Sequence, residues 1–295
     1  MKERLSVRQK KEMRDAYIFL APCVIFFAVF VLYPFAYSLY LSLSQWDGGK
    51  ITNITFSGLD NYKRVFADKD FYNSLKGTLV YTVGINLILI FASTFLAIVL
   101  NKKRPFKNFF KAAFFIPVVL PTTVCAAMFK WIFSAGDGLF NLALNAVGLP
   151  GQAWFQSPDL AMPSILIMST WKWIGYNMVI IIAALQGIPE EYYEVGRIEG
   201  VNWYTKFRYI TLPSIKPTLW FVIIIGIINS FQVFDQVYLL TRGGPLNRTM
   251  VLVYYMYVHA FEYYDLSYAS AVAWVLFVIL FILTAFQMKL SKAEK

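Results

Sequence analysis

Residues 77–100 read GTLVYTVGINLILIFASTFLAIVL, and no charged side chain interrupts them. A helix rising 1.5 Å per residue needs about 20 apolar residues to cross ~30 Å of hydrocarbon, and this run is long enough. Five further stretches meet the same criterion, at 17–43, 110–133, 162–185, 217–240 and 266–288. The composition agrees with a lipid-facing chain. Of 295 residues, 58% are hydrophobic and 15% are charged, whereas soluble domains carry roughly 25% charged residues. The predicted fold is therefore an all-α integral membrane protein with six transmembrane helices.

The first span follows a basic segment, as a secretory signal would. Its apolar stretch exceeds the roughly 7–15 residues of a signal core, so it reads as an uncleaved anchor. Leu20-Ala21-Pro22-Cys23 imitates a lipoprotein cleavage site, but the apolar run continues well past Cys23. Cys23 and Cys125 both lie inside apolar runs, where they build neither a disulfide framework nor a thiol metal site. A single histidine, His259, argues against a histidine metal centre.

The net charge of +10 raises the question of nucleic acid, but the placement of the charge answers it. With the N-terminus inside, the segments facing the cytoplasm (1–16, 101–111, 186–216, 289–295) carry 18 Lys and Arg, and those facing outward (44–76, 134–161, 241–265) carry 7. Cytoplasmic loops of membrane proteins carry such an excess. The basic surplus is a topology signal, both termini are expected in the cytoplasm, and no nucleic-acid partner is implied. The division that follows is a tail at 1–16, a membrane domain at 17–288 and a tail at 289–295.

The outward loops hold turn signals at Asp47-Gly48-Gly49, Gly136-Asp137-Gly138 and Gly148-Leu149-Pro150-Gly151. From Asp60 onward, Tyr62, Val65 and Phe66 recur at helical spacing, which predicts an amphipathic helix at the membrane surface. Gly243-Gly244-Pro245 is expected to stop the fifth span. The inward loop at 189–216 is different: it is polar enough to leave the bilayer and patterned enough to fold. Pro189 suits a first helical turn, Glu190 and Glu191 then sit at the positive end of the helix dipole, and Gly200 fits its C-terminal stop. Asn202 can cap a second short helix over 203–210, which Leu212-Pro213 is expected to break. Two short helices joined at a glycine result.

Within that loop, Glu194-Val195-Gly196, three residues, Gly200, nine residues, Ile210, one residue, then Leu212-Pro213 resembles a known signature. It is the coupling-loop pattern of bacterial binding-protein-dependent ABC importer permeases: Glu-Ala-Ala, three residues, Gly, nine residues, Ile-x-Leu-Pro. Val195 and Gly196 stand where the pattern has two alanines. Tyr17-Ile18-Phe19-Leu20-Ala21-Pro22, Gly58-Leu59-Asp60-Asn61-Tyr62, Phe231-Gln232-Val233-Phe234-Asp235, Leu239-Leu240-Thr241-Arg242-Gly243-Gly244-Pro245 and Tyr268-Ala269-Ser270-Ala271 resemble its carbohydrate branch, in particular the first permease subunit of the maltose, multiple-sugar and glycerol-phosphate type.

The resemblance implies a type I ABC importer permease fold in the bacterial cytoplasmic (inner) membrane. It implies that an external sugar-binding protein delivers the solute and that a second, different permease completes a heterodimer. Two ATP-binding subunits supply the motor, and ATP and Mg are bound there. Glu190, Glu194, Gly200, Ile210, Leu212 and Pro213 would then couple this chain to an ATPase. The residues themselves agree that the motor is a partner. A phosphate-cradling loop needs Gly-x-x-x-x-Gly-Lys-Ser/Thr, and the only Gly-Lys pair here, Gly49-Lys50, is followed by Ile51. No enzymatic activity or cofactor is expected of this chain.

Aromatic faces and hydrogen-bonding side chains bind sugars. The fourth span offers Ser169, Trp173 and Tyr176 at spacings of four and three, hence on one face. The fifth offers Asn229, Ser230, Gln232 and Asp235. By resemblance to the maltose-type permease, Ser169, Trp173, Tyr176, Asn229 and Ser230 match positions of its sugar contacts. Two readings stay open for these polar groups, a substrate path or hydrogen-bonded glue between spans. Lys172, a charge inside a span, is expected to snorkel toward the outer surface, and Asp235 either orients a hydroxyl or pairs with Lys172. His259 reads as an exposed bystander. A permease for a related solute such as glycerol phosphate, an ion-driven carrier and a membrane enzyme are the alternatives. An ion-driven carrier should show pseudo-repeats and charges deep in several spans, and an enzyme a polar reactive cluster at a membrane face.

The orientation has a direct test. A cysteine at Lys206 should be protected from a membrane-impermeant thiol reagent in intact cells, and one at Asp137 should react. Labelling of position 206 from outside would invert the topology.

Overall fold

The computed structural model describes residues 7–46, 53–102 and 105–293. The turn expected at 47–49 lies outside them. The fold is helical, and the described residues divide into two compact units, one of residues 1–67 and 258–274, the other of 68–257 and 275–295.

The first unit opens with α1 (Val7–Phe27), a π turn at Ala28–Leu32 and α2 (Tyr33–Ser42), which together form one long apolar helix. Two-residue strands β1 (Ser44–Gln45) and β2 (Thr55–Phe56) pair antiparallel, and α3 (Asp60–Ala67) follows where Tyr62, Val65 and Phe66 predict a helix. Val65 is fully buried and Phe66 exposed. Asn61, also buried, donates through Nδ2 to the carbonyls of Ser42 and Ser44 at 3.0 and 2.8 Å, tying α3 to the end of α2.

The second unit contains α4 (Lys69–Asn101), α5 (Lys107–Val119), α6 (Thr122–Ile132), α7 (Leu139–Ala146), α8 (Ala161–Gln186), α9 (Glu190–Ile198), α10 (Trp203–Lys206), α11 (Leu212–Phe231), α12 (Asp235–Leu240) and α13 (Leu252–Tyr257). Its core includes Ala97 and Leu100 of α4, Met178, Ile181, Ile182 and Leu185 of α8, and Ile215 and Val222 of α11. Small residues let spans approach closely. Gly175 of α8 faces the backbone of α5 so tightly that a Cβ there would collide with the Phe114 carbonyl. The last helix, α14 (Leu266–Ala293), begins in the first unit. There Asp265 caps it, its Oδ1 accepting from the Tyr268 amide at 3.1 Å, while its Oδ2 accepts from Arg64 Nη1 at 2.6 Å. Within the same unit Trp274 Nε1 of α14 donates to Ser38 Oγ of α2 at 3.2 Å.

Among the described residues, five helices are long and apolar enough to cross a membrane, at 11–42, 69–101, 161–186, 203–231 and 266–290, and the bent pair α5–α6 makes a sixth if taken as one span. Two of the six expected spans are interrupted. The stretch 110–133 is not one rod: α5 and α6 meet at Leu120-Pro121 with a bend of 102°. Pro121 has no amide hydrogen to continue the ladder, and Leu120 adopts an extended backbone (φ −69°, ψ 139°) as residues before proline tend to. The stretch 217–240 is not continuous either. It stops at Gln232-Val233-Phe234 and resumes as α12. Ser230 Oγ takes the Ile227 carbonyl at 3.0 Å, a side-chain competition that weakens a helix locally.

The expected break at Leu212-Pro213 is absent, for the opposite reason. A π turn at Phe207–Thr211 carries the helix through, with the Leu212 amide bonding to the Phe207 carbonyl five residues back. The widened turn sits just before the proline that would otherwise clash. Pro34 follows the other membrane-span π turn, Ala28–Leu32, in the same register.

Asn141 organises the loop after α6. It is 1% exposed. Its Nδ2 lies 2.9 Å from the Ala135 and Gln152 carbonyls, and its Oδ1 accepts from the Gln152 amide and Trp154 Nε1, both at 2.9 Å. Asn141→Leu strips these partners together, and each buried polar group left unpaired costs ~1–3 kcal/mol. Limited proteolysis in detergent should show residues 147–153 opening well before the spans unfold, and a cleavage rate equal to wild type would contradict the role.

Candidate functional site

A cavity of about 530 Å³ lies in the second unit, at the break between α11 and α12. From α8 it is lined by Trp173 and Tyr176, whose rings meet edge to face at 6.3 Å. Asn229 and Ser230 at the end of α11, Gln232 in the break and Asp235 at the start of α12 complete that wall. The chain exposes these polar groups because the helix stops there.

Six of the seven residues singled out from the sequence thus come together. Ser169 does not line the cavity. It is fully buried one turn away on α8, where it accepts a hydrogen bond from Tyr81 Oη at 3.1 Å, an interhelical tie of the kind expected of glue. Tyr81 and Asn86 of α4 line the cavity and were not singled out by sequence reasoning. Asn86 Nδ2 donates to Ser230 Oγ at 3.0 Å and to the Thr82 carbonyl at 2.8 Å, so it joins α4 to α11 at the cavity wall. Their signal was present as a tyrosine and an asparagine in a charge-free run, both costly in hydrocarbon without partners. Thr122, the first residue of α6, closes another side.

Lys172 neither snorkels nor pairs with Asp235. It is 2% exposed, and its Nζ donates to the Leu120 carbonyl at 2.5 Å and the Pro117 carbonyl at 3.4 Å. His259 is not an exposed bystander. It is half-buried, with its ring 4.6 Å from that of Tyr268 and 5.1 Å from that of Tyr263.

At the other candidate site, α9 begins directly after Pro189 with Glu190 and Glu191 in its first turn. It ends in a left-handed turn at Gly200 (φ +67°), where the Gly200 amide donates to Arg197 and the Val201 amide to Gly196. This is the paired hydrogen-bond pattern that glycine permits after a helix. Asn202 then caps α10, its Oδ1 accepting from the Thr205 amide at 2.9 Å. Gly196 is buried against the second helix, where a Cβ would lie 3.3 Å from Lys206 Cε and 3.5 Å from Ile210 Cδ1. Glycine in place of the pattern's second alanine therefore permits a close contact. Tyr193 Oη and Thr211 Oγ1 join the two arms at 3.0 Å.

Glu194 is exposed, with Arg197 at 4.0 Å as its neighbour. Around these positions Tyr192, Val195, Ile198, Trp203, Tyr204 and Tyr209 present an exposed apolar and aromatic surface. Contiguous patches of this kind mark interaction sites.

Residues 89–293 match the family described as the binding-protein-dependent transport system inner membrane component. The chain is 36% identical over 283 residues to a probable ABC transporter permease, YurN, of Bacillus subtilis, covering 95% of this chain and 96% of the relative. It is 35% identical to the arabinooligosaccharide transport permease AraP of the same organism, over 95% and 89% of the two chains. It is 34% identical to the lactose transport permease LacF of Rhizobium radiobacter, over 95% of each. Among solved structures, a bacterial alginate ABC transporter in complex with an alginate pentasaccharide-bound periplasmic protein contains a chain of similar fold, with a TM-score of 0.86, 21% identity and 96% of each chain covered. The chain is a multi-pass permease of the binding-protein-dependent ABC importer family, a transport component and not itself a catalyst.

The turn at Gly200 has a measurable consequence. Gly200→Val forces a β-branched residue into a left-handed conformation at a cost of ~1–3 kcal/mol. Protease sensitivity at residues 199–203 should rise in detergent while helix content by circular dichroism stays unchanged. Unaltered sensitivity would mean that the turn tolerates a side chain.

Proposed function

We propose that this permease passes a sugar, a mono- or oligosaccharide, across the cytoplasmic membrane of a bacterium. An external solute-binding protein delivers the sugar, and ATP hydrolysis on two partner subunits drives the passage. The cavity at the α11–α12 break carries this reading. Trp173 and Tyr176 offer aromatic faces there, and Asn229, Gln232 and Asp235 offer hydrogen-bonding groups to hydroxyls. The arabinooligosaccharide and lactose permeases among the relatives support the same class. Among the described lining residues Asp235 is the charged one. An acidic wall repels a phosphate, so a neutral sugar is favoured over glycerol phosphate.

In this reading both termini are cytoplasmic, residues 17–288 form the membrane domain, and a second, different permease completes the translocation path. The loop at 189–216 docks an ATPase. Glu190 and Glu194 supply charge, Gly200 supplies the turn, and Ile210, Leu212 and Pro213 lead into the span that lines the cavity. Motion of the ATPases would rock the permease between outward- and inward-facing states.

Trp173→Ala and Asn229→Ala should each raise the sugar concentration needed for half-maximal uptake about tenfold, the effect of losing ~1.4 kcal/mol of contact. Uptake of a panel of neutral sugars by the reconstituted transporter measures this, and wild-type uptake in both variants would reduce these residues to interhelical glue. Glu194→Lys should instead leave sugar affinity unchanged while the ATPase subunits co-purify poorly. Normal co-purification would remove the charge from the docking scheme.

A further inference from the structure

The bend between α5 and α6 leaves specific groups without partners. In a continuous α-helix the Pro117 carbonyl accepts from the amide four residues on, and that residue is Pro121, which has none. The Leu120 carbonyl is also released, because the Val124 and Cys125 amides both turn back to the Pro121 carbonyl at 3.1 and 3.2 Å. Both orphaned oxygens sit at the C-terminal, negative end of the α5 dipole. The ammonium of Lys172 reaches both of these oxygens, at 3.4 and 2.5 Å. It also lies 5.2 Å from the ring centroid of Trp173, a cation–π distance.

We infer that Lys172 is a positioning residue for the translocation cavity, an intramolecular cation that holds the α5–α6 bend and fixes two cavity walls through it. Thr122 begins the arm immediately beyond the clamped carbonyls, and Trp173 adjoins Lys172 in sequence and under its charge. Both line the cavity. A charge inside a membrane protein is costly unless it is paired or serves a path, and here its partners are backbone oxygens that no amide supplies. The clamp depends on positive charge and not on packing volume, because the acceptors are the concentrated partial charges of a helix end. This inference concerns the geometry of the cavity and does not depend on what the cavity carries.

The test uses the full-length chain in lipid nanodiscs, in a background lacking Cys23 and Cys125, with spin labels at the exposed positions Asn108 and Lys130 on the two arms. Wild type should give a narrow, short distance distribution. Lys172→Met should broaden it and move it toward the ~33 Å that an unbroken helix would span between these positions at 1.5 Å per residue. Lys172→Arg, which keeps the charge, should remain narrow, and Lys172→Gln, a neutral donor, should fall between. A wild-type distribution in the methionine variant overturns the inference, as does an arginine variant as broad as methionine. If the methionine variant is not recovered folded, the glutamine and arginine variants decide the matter: glutamine as narrow as arginine shows that the charge is unnecessary.

Discussion

Hydrocarbon offers no hydrogen-bond partner, so every backbone amide and carbonyl within it must be satisfied by the protein. An unsatisfied one costs ~2–7 kcal/mol, depending on the reference state. Pro22, Pro117 and Pro217 lie inside α-helices with no π turn directly before them, and three other prolines show further ways in which that constraint is met. Pro34 and Pro213 each follow a π turn, Ala28–Leu32 and Phe207–Thr211, and the residue before each proline bonds five positions back. The helix widens and continues. At Pro121 the helix breaks instead. At Pro121 a side chain from another span, Lys172, supplies the hydrogen bonds that the backbone cannot.

The spans were legible from the sequence because bilayer thickness imposes a length that composition alone reveals, as at 77–100. The two-helix loop at 189–216 was legible for a different reason. Gly200 is of the residue type that most readily enters a left-handed turn and Asn202 of one favoured at N-caps, and the structure places them in those conformations. What was lost was anything that averages out over an apolar window. Pro121 sits in a run so hydrophobic that the length criterion passes over it, and the bend it causes is a tertiary fact requiring Lys172, 51 positions on. The break at Gln232 has no proline or glycine to mark it, and the continuity through Pro213 required a π turn that no residue announces. Tyr81 and Asn86 were passed over because the run at 77–100 was read for its length and lack of charge, although hydrogen bonds across spans join them to Ser169 and Ser230.

The two interruptions of the second unit border the same cavity, and there is a physical reason for their proximity. A helix end brings backbone dipoles and polar side chains to one place, and in a membrane protein such groups are tolerated only where they are paired or face a water-filled space. At the α11–α12 break the side chains of Asn229, Gln232 and Asp235 face the cavity. At the α5–α6 break the carbonyls are paired with Lys172, and Thr122 just beyond it lines the cavity. Clustering the breaks brings these hydrogen-bonding groups together around one cavity.

The same arrangement bears on how transport is energised. In many ion-driven carriers, interrupted helices expose C-terminal carbonyls that coordinate the coupling cation near the middle of the membrane. The α5–α6 break exposes such carbonyls at Pro117 and Leu120, but the cation upon them is the chain's own lysine ammonium. A fixed positive charge there opposes the entry of a sodium ion or a proton at that place by like-charge repulsion. It cannot carry energy across the membrane, because it is covalently attached and does not leave. With that helix end so occupied, its carbonyls offer no seat to a mobile cation. The exposed aromatic surface of the loop at 189–216 lies at the end of the helix that runs unbroken from Trp203 to the cavity wall at Asn229, so the loop and the cavity share one rigid element.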